Sequence, residues 1–132
     1  IVWNVSKNFS SVQSILHEDV QISSAIEGSS YFGPLIWEGD DPNVATLTDI
    51  PNQANLKKGT NVVTSGLGVI FPKGILVGKI FRSGVKGKGS FLDISVKLAT
   101  DFYALQHLYI VKNNFANEVI QLEEQNKESI HE

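Results

Sequence analysis

Short runs rich in Val, Ile, Phe and Tyr recur along this chain, each closed within a few residues by Gly, Asn, Asp or Pro. That spacing is the pattern of many short strands wrapped into a sandwich or barrel, so the chain reads as all-β. Strands are expected at residues 1–5, 11–16, 21–26, 32–37, 44–48, 61–64, 75–82, 91–98 and 107–112. Alternation is clearest where Phe91, Ile94 and Val96 are interleaved with Asp93, Ser95 and Lys97, which implies one buried and one wet face. The irregular step at Leu92 is expected to mark a bulge.

The punctuation itself carries information. Glu38-Gly39-Asp40-Asp41-Pro42-Asn43 is a run of turn formers, and Lys57-Lys58-Gly59-Thr60 sets a glycine where a positive φ is needed. Residues 83–90, Ser-Gly-Val-Lys-Gly-Lys-Gly-Ser, are polar and glycine-rich between two apolar runs and read as a mobile hairpin loop. From Asn117 the composition turns helix-tolerant, with five glutamates against one lysine, and predicts a short acidic helix or tail. The expected division is therefore a β-barrel region over 1–114 and an acidic tail over 115–132.

Composition narrows the function. A formal net charge of −3 supplies no basic excess to neutralise phosphates, which argues against nucleic acid and against a membrane surface. Without cysteine there is no disulfide framework, thiolate metal site or Cys nucleophile. The chain lacks methionine, opens Ile1-Val2-Trp3 and contains no run approaching the roughly 20 apolar residues of a membrane span. It reads as an excised piece whose membrane anchor, if it has one, lies upstream.

Candidate chemistry is sparse. His17, Asp41 and Ser65 stand in the chain order of a chymotrypsin-like triad, but Thr64-Ser65-Gly66 lacks the flanking residues that shape a nucleophile turn. His17, His107 and His131 are too far apart to announce a metal site, and His17-Glu18-Asp19 reads as a hydrated turn. No cofactor is expected. His107 is expected to be a half-buried strand residue. Lys73, Lys79, Arg82, Lys86 and Lys88 form a basic cluster with Asp93 as their near carboxylate; it suits either the solubility of a hairpin or an acidic partner. Tyr31, Phe32, Trp37, Phe71, Phe81, Phe91, Phe102, Tyr103 and Tyr109 fall on or beside strands, and most are expected in the core; Trp3 and Phe9 are expected outside.

The most specific stretch is Asn61-Val62-Val63-Thr64-Ser65-Gly66-Leu67-Gly68-Val69-Ile70-Phe71-Pro72-Lys73-Gly74-Ile75-Leu76-Val77-Gly78-Lys79-Ile80. Within it Thr64, Ser65, Gly66, Gly68, Phe71, Pro72, Gly74 and Gly78 read as a shaped corner between strands, with glycines for the reversal and proline to fix φ. This stretch resembles the signature of the MreC family of rod shape-determining proteins. Val5-Ser6-Lys7-Asn8-Phe9-Ser10, Phe32-Gly33-Pro34-Leu35-Ile36-Trp37-Glu38-Gly39 and Leu47-Thr48-Asp49-Ile50-Pro51 resemble segments that precede it in the family.

The resemblance implies two small six-stranded-type β-barrels of chymotrypsin-like topology without the triad, the first of them incomplete in this chain. It further implies a non-catalytic scaffold on the periplasmic face of the inner membrane, anchored by an upstream helix. Penicillin-binding protein 2 and MreD are the implied partners, MreB is met indirectly, and self-association is expected through an open barrel edge. A serine hydrolase and a glycan binder using Trp3 or Trp37 remain the competing readings.

Overall fold

The computed structural model describes residues 1–85 and 89–130. These residues form eight strands followed by one helix: β1 Val2–Val5, β2 Ser10–Val12, β3 Gln21–Ile26, β4 Phe32–Ile36, β5 Val44–Pro51, β6 Asn61–Thr64, β7 Leu76–Val85, β8 Phe91–Leu98 and α1 Ala116–Ile130. β3 to β8 close into an antiparallel barrel in the order β3-β4-β5-β8-β7-β6, and β1 and β2 form a separate two-stranded sheet. The fold is all-β, as the strand spacing predicts. Of the two expected barrels one is closed, and the hairpin β1–β2 stands where the incomplete one is expected.

The barrel is narrow, and its filling shows why these residues form it. Ile22 and Ile26 of β3, Leu35 of β4, Leu47 and Ile50 of β5, Val62 of β6, Ile80 of β7 and Ile94 and Val96 of β8 point inward and are buried. Their alternation with wetter neighbours is the period-2 pattern of a half-buried strand. Small residues complete the lining. At Gly78 an added Cβ would collide with the carbonyl oxygen of Lys97 on the neighbouring strand, so β7 and β8 approach as closely as they do only with glycine there.

Narrowness also corrects the aromatic expectation. Among the described residues no aromatic side chain belongs to the buried core. Phe32, Phe81, Phe91, Tyr103 and Tyr109 are exposed, and Tyr31, Phe71 and Phe102 pack only partly against it. Branched aliphatic side chains fill a six-stranded interior; rings do not fit. Trp3 and Phe9 are exposed as expected.

Further expectations change. The inward set on β8 is Leu92, Ile94, Val96 and Leu98, with Phe91 outside, so β8 itself is regular. The irregularities lie in its two partners: β5 gains a residue between Leu47 and Ile50, and β7 one between Ile80 and Arg82. Asp49, at φ 63°, is the residue that makes the first of these possible. β2 ends at Val12 rather than at residue 16.

Residues 107–112 form no strand, and His107 is exposed rather than half-buried. The closed barrel offers this segment no edge, and it does not pair with the β1–β2 sheet either, so its strong β-propensity finds no ladder. The expected loop at 83–90 is partly strand, since β7 runs to Val85; Lys86, Gly87 and Lys88 lie outside the described residues.

Candidate functional site

The corner between β6 and β7 is built around one hydroxyl. Thr64 is 2% exposed, and its Oγ1 donates to the Pro72 carbonyl at 2.5 Å while accepting from the Ile75 amide at 2.9 Å. Its backbone repeats the clamp: Thr64 N donates to Ile75 O at 2.8 Å, and Gly74 N donates to Thr64 O at 2.9 Å. Residues 65–73 are thereby pinched off as a loop with a fixed neck. Gly66, at φ 78°, sits where an added Cβ would lie 2.6 Å from Lys73 Cβ, so only glycine fits the crossing.

A second tie runs to β3. Ser65 donates from Oγ to Ser23 Oγ at 2.8 Å and from its amide to Ser23 O at 2.9 Å. Ser65 Oγ also accepts from the Leu67 amide at 3.1 Å. A third tie comes from the far end of the chain, where Asn113 Nδ2 donates to Val69 O at 3.2 Å and Asn113 Oδ1 accepts from Phe115 N at 3.0 Å. Asn113 therefore holds the start of α1 against the loop.

The structure thus gathers Thr64, Ser65, Gly66, Gly68, Phe71, Pro72 and Gly74 in one corner, while Gly78 lies within β7 against β8. Above the corner opens a groove of about 460 Å³, lined by Phe32, Pro34, Leu67, Ile70 and Phe71 with Glu123 of α1 at its rim. Leu67, Ile70 and Phe32 are all more than half exposed. A contiguous apolar rim of this kind, carried on a braced loop, is the usual form of a protein-docking surface.

The triad candidates do not assemble. His17 Nδ1 accepts from the Asp19 amide at 3.2 Å, Asp41 Oδ1 accepts from Asn43 N at 2.8 Å and from Asn43 Nδ2 at 3.0 Å, and Ser65 is tied to Ser23. None of the three is hydrogen-bonded to another. Among the described residues no cluster of His, Cys, Asp or Glu could hold a metal ion; His131 lies outside them.

Sequence reasoning missed Ser23, Phe32 as a groove wall, and Asn113. The last had a readable signal, an Asn pair just ahead of a helix-tolerant run, which is a helix N-cap pattern. Ser23 had none, because its partner lies 42 residues away.

The family described as "Rod shape-determining protein MreC, barrel core" matches residues 1–112. The chain belongs to the MreC family. The cell shape-determining protein MreC of Listeria monocytogenes is 31% identical over 106 residues, which is 78% of this chain and 36% of that protein. The chain thus spans about a third of that MreC relative's length.

The crystal structure of MreC from Pseudomonas aeruginosa superposes with a TM-score of 0.66 at 21% identity, covering 74% of this chain and 62% of that one. A second solved MreC gives a TM-score of 0.67 at 19% identity, over 73% and 54%. At such identities the structural likeness concerns the fold, and it agrees with the closed barrel of this chain.

Proposed function

We propose that this chain is the non-catalytic docking body of a rod shape-determining scaffold on the periplasmic face of the inner membrane. In this reading it holds penicillin-binding protein 2 and MreD in the wall-elongation machinery, meets MreB only indirectly, and is tethered by a transmembrane helix elsewhere in the full-length protein. The mechanism is differential binding, by which a partner conformation that fits the apolar rim is stabilised without covalent chemistry.

The observation that carries the proposal is the apolar rim of Leu67, Ile70 and Phe32 set on a corner whose hydroxyls are used internally. A catalytic surface needs polar groups held in readiness. This one commits its hydroxyls to holding shape. Self-association fits the same picture: among the described residues each strand of the β1–β2 sheet has a single neighbour, and its outward edge can take another strand.

The test is a pull-down of the penicillin-binding protein 2 ectodomain with this chain and with Ile70→Asp, both checked by circular dichroism. Loss of capture by at least about tenfold in the variant supports the rim, since a buried charge at an interface centre costs that much or more. Equal capture contradicts it. Labelling of Ser65 by a serine-directed fluorophosphonate overturns the non-catalytic reading.

A further inference from the structure

Behind the signature loop lies a second space, distinct from the docking groove. β6 and β7 lose register there: Val62 pairs with Gly78 but Val63 with Leu76, so Val77 is an extra residue in β7. A bulge of this kind re-aims side chains. Leu76 and Val77, consecutive in the strand, accordingly line the same pocket of about 140 Å³. Ile22 of β3, Thr64 of β6 and Leu98 of β8 give it a buried floor, and Ile15, Phe71 and Phe102 close it from the loops. Ile75 and Leu76, 42% and 46% exposed, stand at its mouth.

The lining is chemically uniform. Among the described residues no charged side chain contributes to it, and the Thr64 hydroxyl is already committed to Pro72 O and Ile75 N. Among the described residues no buried side-chain nitrogen or oxygen lacks a partner. A trapped water needs roughly two to four polar partners, and this floor has none to spare. Apolar cavities of about 150 Å³ stay dry and accept benzene or xenon. We propose that this pocket binds a small uncharged hydrocarbon ligand, an aromatic ring or branched alkyl of about six or seven carbons.

Phe71 gives the site a consequence. It lines both this pocket and the groove of Phe32, Leu67 and Ile70, and so forms the wall between them. The wall is only partly buried and belongs to the loop whose neck Thr64 holds. A guest packed against Phe71 from within restricts that side chain, and with it one wall of the outer groove. The neck cannot follow without breaking the Thr64 hydrogen bonds, which confines the effect to residues 65–73.

Methyl and amide NMR spectra of this chain, titrated with benzene and separately with benzoate, test the site. Benzene is expected to shift the methyls of Ile22, Val77 and Leu98 and the amide of Phe71, saturating with a Kd of about 1 mM. The methyls of Leu47 and Ile94, which lie in the core and do not line the pocket, are expected to stay in place. Benzoate, nearly equal in size, is expected to shift none of them, because nothing in the pocket pairs a carboxylate. Val77→Phe places a ring in the empty space and is expected to weaken benzene binding at least about tenfold, with the fold checked by circular dichroism. The comparison of benzene with benzoate needs no variant and stands if Val77→Phe does not fold. Absence of saturable shifts, equal shifts with benzoate, shifts that spare Phe71, or a folded Val77→Phe that binds benzene unchanged would each overturn the proposal. No partner protein enters the titration, so its result is independent of penicillin-binding protein 2 capture.

Discussion

At Thr64 one hydroxyl donates to Pro72 O and accepts from Ile75 N inside a wall that water does not reach. Thr64→Val keeps the shape and strands both partners, so it is expected to lower stability by about 1–3 kcal/mol in urea denaturation, whereas Thr64→Ser retains most of it. Asp49 occupies φ 63°, which a short polar residue tolerates and a β-branched one does not. Asp49→Val is expected to cost about 1–3 kcal/mol by thermal melting, and Asp49→Gly to be neutral or stabilising. Gly59 and Gly66 were legible in the sequence because a turn demands them. The Ser23–Ser65 pair was not, since nothing in either residue's neighbourhood announces the other.

Strand positions were legible where alternation fixes a buried face, and β3, β6 and β8 fall on the expected residues. Two elements show the limit of local pattern. Residues 107–112 carry the propensity of a strand and make no ladder, because pairing is decided by tertiary placement beside an edge and not by the segment alone. Their amides are expected to exchange with deuterium orders of magnitude faster than those of β8, and protection equal to the barrel's would contradict a ladder-free segment. The bulges in β5 and β7 left no mark on β8, whose expected irregular step at Leu92 came from reading Phe91 as inward-facing. α1 was visible as a change of composition, while its attachment through Asn113 to Val69 O depends on tertiary placement.

At the scale of the molecule, a closed barrel is packed with Leu, Ile and Val, and no aromatic side chain among the described residues belongs to that buried core. The docking surface proposed above lies on the outside, where the barrel holds its shape constant. The family signature was legible as a corner; that the corner lifts Leu67 and Ile70 beside Phe32 depends on β6 folding next to β3, a contact no local pattern encodes. Hydrogen–deuterium exchange of this chain with and without the penicillin-binding protein 2 ectodomain reads the central claim most directly. Slowed exchange over residues 65–73 and at Phe32, with the rest of the barrel unchanged, is the expected footprint. Binding that leaves those amides unaltered, or protects only the wall opposite, would contradict the account.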